Sequence, residues 1–218
     1  MMKYKILIAA VISISMLACS SSESKSDKQD MEQTPNEPAQ PESPAPPSPP
    51  EAPLPPPVKE FKSKTGKVFL FQESHPRGMS ISDISVRYAD DKKSEFTESD
   101  IDPVSKVLLA DLDNNGFDEL YIFTTAAGSG SYGKVHGYAS LKDKSLGMVN
   151  MPEPSEKDMA KGGNFEGYEG HDEFDIVNNE LIRTFPVKSD KGTKRTIIYK
   201  MVPGEAMYQM VIKSSRLN

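Results

Sequence analysis

The amino-acid sequence predicts an all-β domain, either an antiparallel β-sandwich or a flattened barrel of about eight or nine strands with one short helix. Apolar and polar residues alternate with a period of two over most of the chain beyond residue 60. The alternating segments are short and are separated by turn-forming sequences such as "NNG", "GSGSYG" and "SDKG". Short strands at this spacing, with no long helical pattern between them, are typical of antiparallel sandwiches and barrels.

The individual elements follow from this alternation in chain order. Nine segments are predicted to be strands: "KVFLFQ" (67–72), "DISVRYA" (83–89), "KVLLAD" (106–111), "DELYIFTT" (118–125), "KVHGYASL" (134–141), "EFDIV" (173–177), "ELIRTFPV" (180–187), "RTIIYKM" (195–201) and "MYQMVIK" (207–213). One segment, "PSEKDMAKG" (154–162), has helical character, and it is short and polar. No internal repeat is visible in the sequence.

The N-terminus has the features of a bacterial lipoprotein signal, predicted to cover residues 1–18. A short basic lead precedes an apolar run over residues 6–18, which is too short to span a bilayer. Small residues come directly before Cys19, an arrangement that resembles a lipobox. We therefore expect lipidation of Cys19, with an ordinary secretory signal as the alternative. Ser20 at the next position resembles the pattern of sorting to the outer membrane.

Cys19 is the only cysteine in the chain, and this limits the chemistry of the rest. An internal disulfide, thiol catalysis and cysteine-ligated zinc are excluded from the exported domain. Residues 19–60 are predicted to be a disordered Pro/Ser-rich tether, because twelve of the eighteen prolines lie between Pro35 and Pro57. Peptide recognition by this proline tract is the alternative. The folded β domain is expected over residues 61–218, which is the size of one domain.

The charge balance bears on the class of partner. The chain has a formal net charge of −6, and it becomes more acidic when Lys3 and Lys5 leave with the signal. An acidic domain repels the phosphates of nucleic acid and of anionic lipid, so nucleic acid is not expected as a partner. A basic protein partner fits this charge better.

The segment "AAGSGSYG" (126–133) contains a literal G-x-G-x-x-G match. A dinucleotide-binding turn needs a strand before it and a helix after it, because the helix N-terminus holds the pyrophosphate. The residues after Gly133 alternate as a strand does, so the match is interpreted as accidental and no cofactor is predicted. By composition alone the segment is an ordinary loop, although Tyr132 flanked by Ser and Gly is also typical of binding loops.

A second candidate is the acidic turn "DLDNNGFDE". Asp111, Asp113, Asn115 and Glu119 occupy positions 1, 3, 5 and 9 of a calcium-loop pattern, but position 12 is Ile122 in a predicted strand. The favoured interpretation is a tight Asn-Gly turn with solvated acids and no bound metal, and calcium remains the alternative.

A third candidate is "GHDEF" (170–174), where His171 adjoins Asp172 and Glu173. These residue types suit a metal or a general acid–base pair, and a Ser–His–Asp arrangement with Ser129 is an open alternative. Adjacent strand residues point to opposite faces, and no nucleophile-elbow sequence is present, so a hydrogen-bonded turn is favoured. The protein is therefore not expected to be an enzyme, and a His171-dependent hydrolase is the minor alternative.

Three segments together resemble a known family. "DLDNNGFDELYIFTTAAGSGSYGKVHGYAS", "GYEGHDEFDIVNNELIRTFPV" and "YKMVPGEA" are similar, in that order, to the bacterial periplasmic inhibitors of I-type (invertebrate-type) lysozyme. The likeness runs from about residue 104 to residue 209, roughly half of the chain. The signal, the tether and residues 61–103 are not covered by it.

The resemblance implies an all-β inhibitor domain, often dimeric, without catalysis of its own. It also implies that an S-G-x-Y loop enters the substrate cleft of the lysozyme; here that loop is Ser129, Gly130, Ser131 and Tyr132, with Ser131 in the variable position. The expected partner is an I-type lysozyme of basic charge, with a homodimer as a further expectation. Family members are commonly soluble in the periplasm, so the lipid anchor at Cys19 is a departure that predicts an envelope-anchored, outer-membrane location on either face. A calcium-dependent envelope adhesion or assembly module is the alternative function.

Overall fold

The computed structural model describes residues 54–91, 93–188 and 192–218. The predicted signal, Cys19 and the tether up to residue 53 lie outside the described residues. Within the described part of the chain, no helix is both long and apolar enough to cross a membrane.

The described residues contain twelve strands and one short helix, and the strands form two sheets. The four-stranded sheet contains β1 (Val58–Lys62), β2 (Val68–Ser74), β3 (Ser82–Tyr88) and β4 (Phe96–Ile101), in the order β1-β2-β3-β4. The eight-stranded sheet contains β5 (Val104–Ala110), β6 (Glu119–Thr125), β7 (Gly133–Ser140), β8 (Leu146–Asn150), β9 (Glu173–Val177), β10 (Glu180–Pro186), β11 (Lys194–Pro203) and β12 (Tyr208–Leu217). Its order is β5-β6-β7-β8-β12-β11-β10-β9.

The predicted all-β class is confirmed, and all nine predicted strand segments are strands. The count is higher than eight or nine because β1, β4 and β8 were not predicted. All neighbouring strands pair antiparallel except β8 and β12, which pair parallel. The helix α1 (Glu156–Met159) lies within the predicted helical segment, and a capping box between Ser155 and Asp158 starts it.

The eight-stranded sheet curls until its two edges approach each other. Lys106 on β5 donates from Nζ to the Phe174 carbonyl oxygen on β9 at 2.6 Å, and it lies 3.3 Å from the Asp175 carboxylate. The rings of Phe123 and Phe174 lie 5.8 Å apart behind this contact. A side chain, rather than a ladder of backbone hydrogen bonds, therefore links the two edges of a nearly closed barrel.

Strand β6 lies between two hydrophobic clusters and is buried on both faces. Tyr121 and Phe123 face the interior of the curled sheet, where they pack with residues of β7, β10, β11 and β12. Leu120 and Ile122 face the opposite way and pack against Phe69 and other residues of the four-stranded sheet. Because successive side chains of a strand point to opposite faces, one strand supplies both clusters.

Candidate functional site

The loop between β6 and β7 is closed by its own backbone. The Ala126 N–H donates to the Tyr132 carbonyl oxygen at 2.8 Å, and the Ser131 N–H donates to the Gly128 carbonyl oxygen at 3.0 Å. These contacts make a compact loop at the end of the antiparallel pair of β6 and β7.

The φ angle of Ser131 is 42°, which lies in the left-handed region that a tight turn requires. Gly133 follows as the first residue of β7 and pairs with Thr125 of β6. The residues after the loop therefore form a strand, as their alternation predicts, rather than the helix that a dinucleotide turn needs.

A second segment, residues 168–172, packs against this loop and forms hydrogen bonds with it. The His171 N–H donates to the Gly130 carbonyl oxygen at 2.6 Å, and the Gly133 N–H donates to the Asp172 carboxylate (Oδ2) at 2.8 Å. The two segments are about forty positions apart in the sequence, yet these two hydrogen bonds fix the middle and the end of the loop. The loop conformation therefore depends on residues 168–172 as well as on its own sequence.

The Asp172 carboxylate is the centre of a buried hydrogen-bond network. Besides the Gly133 N–H, it accepts from Arg183 Nε at 2.7 Å and from the Tyr168 hydroxyl at 2.6 Å. The Asp172 side chain is 0% exposed and that of Arg183 is 6% exposed. Separating the two partners of such a buried pair would leave an uncompensated charge, which costs several kcal/mol. The ion pair therefore keeps Asp172 and Arg183 in fixed positions.

The guanidinium group of Arg183 lies among three aromatic rings. It is 4.9 Å from the centroids of Phe165 and Tyr168 and 5.2 Å from that of Phe174. Burial by itself lowers the pKa of Arg183, but the hydrogen bond and the charge of Asp172 outweigh it and raise the pKa above its usual value. Arg183 is therefore a fixed cation beneath the loop.

The outer face of the loop offers one ring and one hydroxyl group. Tyr132 is 47% exposed, and its ring meets the Tyr168 ring edge-on at 5.8 Å. Ser129 is exposed, whereas Gly130 and Ser131 are half-buried. A shallow groove beside the loop is lined by Ser129, Gly130, Tyr132, Glu169, His171 and Lys188, among others. The arrangement can present an aromatic surface and hydrogen-bonding groups to a narrow partner site.

His171 does not form a catalytic arrangement with the neighbouring acid. It is exposed, it has a φ of 57°, and its ring makes no hydrogen bond to any residue that the structure describes. The Asp172 carboxylate is already occupied by Arg183, Tyr168 and the Gly133 N–H. The predicted hydrogen-bonded turn is present only as a bend at Gly170. The hydrogen bonds of the His171 N–H and the Asp172 side chain run to the loop between β6 and β7 and do not close a local turn.

The acidic turn between β5 and β6 is less exposed than its sequence predicts. Asp111 is 7% exposed and Glu119 is 0% exposed, so the expectation of solvated acids is wrong for these two residues. Oxygen atoms of Asp111, Asp113 and Glu119 all lie within 4.8 Å of one another. Asn115 caps the turn, and its N–H donates to Asp111 and to Asp113 at 3.0 Å each.

Burial has a large effect on Glu119. It raises the pKa of the Glu119 carboxyl group to about 8, and the negative charge of Asp113 adds to this shift, against hydrogen bonds from the Leu112 N–H and the Tyr121 hydroxyl that lower it. By contrast, the pKa of Asp111 is lowered, because hydrogen bonds from Lys64 and from the Gly116 N–H outweigh its burial. The turn therefore holds side by side a carboxyl group with a raised pKa, Glu119, and one with a lowered pKa, Asp111.

The sequence interpretation missed the supporting residues Tyr168, Arg183 and Lys64. A signal for Arg183 was present, since it stands between Leu181 and Phe185 at the inward-facing positions of β10. A charged residue at a core position needs a buried partner of opposite charge, and Asp172 is that partner. No comparable pattern marks Tyr168 or Lys64.

No family model matches the sequence, and no curated protein matches it. Among solved structures, the chain is similar to PliI-Ah, described as the periplasmic lysozyme inhibitor of I-type lysozyme from Aeromonas hydrophyla. The sequences are 19% identical, and the matched region covers 43% of this chain and 85% of that chain, with a TM-score of 0.36. The similarity is a distant one.

Proposed function

We propose that this protein inhibits I-type lysozyme by inserting the loop Ser129–Tyr132 into the substrate cleft of the enzyme. The observation that carries the proposal is the way in which the loop is built. It projects an exposed tyrosine and an exposed serine from a strand pair, and a buried ion pair beneath it holds the backbone in one conformation.

The residues behind the family resemblance support this reading, because two of the three similar segments contact each other at the loop. The segment that contains Gly130 and the segment that contains His171 and Asp172 are joined by two hydrogen bonds. The likeness therefore includes the loop and also the residues that fix its shape. A loop that is ordered before binding loses less conformational entropy when it enters a partner.

The chemistry of a lysozyme cleft fits the groups that the loop offers. Such a cleft has two carboxyl groups beside the scissile bond, one of which is kept protonated. The Ser129 hydroxyl can donate to the carboxylate or accept from the carboxylic acid. The Tyr132 ring can stack in a sugar subsite, and Gly130, which has no side chain, allows the backbone to enter a narrow groove.

The charge of the protein suits a basic enzyme. The chain carries 32 acidic and 26 basic residues, and lysozymes that bind anionic cell wall carry the opposite charge. Complementary charge of this kind mainly raises the rate of association, and the effect weakens as salt is added. The lipid anchor proposed at Cys19 and the tether over residues 19–60 would keep the inhibitor in the cell envelope, at the outer membrane.

The test is an inhibition assay with purified I-type lysozyme, in which residual activity is measured against inhibitor concentration. Tyr132→Ala should weaken inhibition by roughly thirtyfold or more, the effect of losing a central aromatic residue worth about 2 kcal/mol. Ser129→Ala should weaken it by up to roughly tenfold through the loss of a hydrogen bond. Both side chains are exposed, so the melting temperature should stay within about 2 °C of the wild-type value.

Met79→Ala is the matched control, because Met79 is 75% exposed on the turn between β2 and β3, in the other sheet. It should leave inhibition unchanged. Parallel assays with C-type and G-type lysozymes define the specificity. Inhibition that is equally strong in the wild type, Tyr132→Ala and Ser129→Ala would rule out the loop as the inhibitory element, and no inhibition of I-type lysozyme by the wild type would reject the function.

A further inference from the structure

The acidic turn between β5 and β6 is a second cluster of polar groups, distant in the fold from the loop Ser129–Tyr132. Asp111 follows the end of β5, Asp113 lies within the turn, and Glu119 is the first residue of β6. The turn closes through Gly116, which has a φ of +93°, so that the three carboxyl groups converge to within 4.8 Å. Three carboxyl groups at this separation repel one another when they are ionised.

Glu119 shows that the cluster lacks one partner. Its Oε2 atom accepts from the Leu112 N–H at 2.8 Å and from the Tyr121 hydroxyl at 3.2 Å. Its Oε1 atom is buried and has no hydrogen-bond partner among the residues that the structure describes. Glu119 is 0% exposed, and an unpaired oxygen of a buried carboxyl group is costly. This unpaired oxygen belongs to the Glu119 carboxyl group, which converges with those of Asp111 and Asp113. A cation bound between the three carboxyl groups would therefore contact all three residues.

We propose that Asp111, Asp113 and Glu119 bind one Ca²⁺ ion. All the candidate ligand atoms are oxygens, which are the ligands that Ca²⁺ prefers, and the cluster offers no sulfur or nitrogen ligand for zinc. The acids alternate along a glycine-containing turn, as they do in calcium loops. Backbone carbonyl groups and water would complete the coordination shell, since Ca²⁺ takes 6–8 ligands in flexible geometry.

The Lys64 ammonium group lies beside the acidic cluster and neutralises part of its negative charge. It donates to Asp111 Oδ2 and lies 3.5 Å from the Asp118 carboxylate. Its side chain is 45% exposed, so it can move aside and keep Asp118 as a partner when an ion binds Asp111. Lys64 therefore competes with Ca²⁺, and replacing it should increase the affinity for the ion.

The site lies at the start of β6, and the loop Ser129–Tyr132 follows the opposite end of the same strand. Calcium should therefore stabilise the turn and the beginning of β6 without contacting the inhibitory loop. This separates the two hypotheses, because the metal site can exist whether or not the protein inhibits lysozyme.

The test measures Ca²⁺ binding by isothermal titration calorimetry and the melting temperature after treatment of the protein with a chelator. One ion should bind per chain, with a dissociation constant on the order of 10⁻⁴ to 10⁻³ M, as in extracellular calcium modules. A hundredfold excess of Ca²⁺ over this constant should raise the melting temperature by roughly 5 °C or more. Mg²⁺ at the same concentration should have a much smaller effect, because it requires near-ideal octahedral geometry.

Two ligand variants and two comparison variants make the result specific. Asp113→Asn changes a partly exposed ligand, and Glu119→Gln keeps the volume of the buried one; both should abolish the Ca²⁺-induced shift. Asp118→Asn removes a neighbouring acid outside the cluster and should keep most of the shift, whereas Lys64→Met should strengthen binding. The proposal is overturned if the wild type shows neither binding heat nor a shift at 10-fold the upper constant, about 10 mM Ca²⁺. It is also overturned if Asp113→Asn keeps as much of the Ca²⁺-induced shift as Asp118→Asn does.

Discussion

Replacing Gly170 with alanine should displace the loop Ser129–Tyr132 without changing any of its residues. Gly170 has a φ of +91°, and an ideal Cβ atom at this position would lie 2.0 Å from the Gly130 carbonyl oxygen. Ordinary contact begins at 3.4 Å, so the two segments must separate by about 1.4 Å. That separation breaks the hydrogen bond from the His171 N–H to Gly130, now 2.6 Å long.

The energetic cost has two parts. An alanine in the left-handed region costs about 1–2 kcal/mol, and the lost hydrogen bond adds about 1 kcal/mol. The sum of about 2–3 kcal/mol lowers the melting temperature by roughly 4–12 °C for a domain of this size. Under the proposed function the displaced loop fits the lysozyme cleft less well, so inhibition of I-type lysozyme should weaken by about tenfold or more, or about 1.4 kcal/mol.

Gly78→Ala is the matched control for backbone strain. Gly78 has a φ of +101°, but no atom lies within 4 Å of its added Cβ. This variant should lose about 1–2 kcal/mol of stability from strain and keep full inhibition. The reasoning is refuted if Gly170→Ala inhibits as well as the wild type, or if it loses inhibition only to the extent that Gly78→Ala does.

Two further predictions concern ion pairs. Asp172→Asn leaves Arg183 buried without its counter-charge and should cost about 3–5 kcal/mol in the free energy of unfolding, measured by urea denaturation. Glu173→Gln removes only the exposed ion pair with Lys194 and should cost at most about 1 kcal/mol. Equal effects of the two changes would contradict the buried network. The hydrogen bond from His136 holds the pKa of the half-buried Glu98 below its ordinary value of 4.5, so the stability that Glu98 contributes is present above that value and is lost as the pH falls through the lowered pKa. Melting curves of Glu98→Gln should therefore change less than those of the wild type below pH 4.5, and parallel pH profiles would argue against this contribution.

Strand alternation predicted most of the fold, because a half-buried strand shows its two faces in the sequence. It failed for three strands with weak signals. β1 has four exposed residues out of five, β4 carries polar residues at most positions, and β8 is short and contains Gly147. β1 and β4 are the edge strands of the four-stranded sheet, where exposed polar residues are favoured because they limit pairing with other chains.

The loop itself could be found in the sequence, whereas its support could not. Its Gly, Ser and Tyr residues are contiguous, but the hydrogen bond between Gly133 and Asp172 joins residues 39 positions apart. Local patterns carry no information on such a contact. The acidic turn shows the same limit, since its spacing was visible but the burial of Glu119 depends on how β6 packs between two hydrophobic clusters.

The double burial of β6 has a consequence for how the molecule unfolds. Leu120 and Ile122 belong to one cluster and Tyr121 and Phe123 to the other, so neither cluster can be exposed to water without removing this strand from both. The two sheets are therefore coupled into a single cooperative unit, and the backbone amide protons of β6 should exchange with solvent only when the whole domain unfolds. The strand that leads into the loop Ser129–Tyr132 would then be the last part of the described residues to lose its structure.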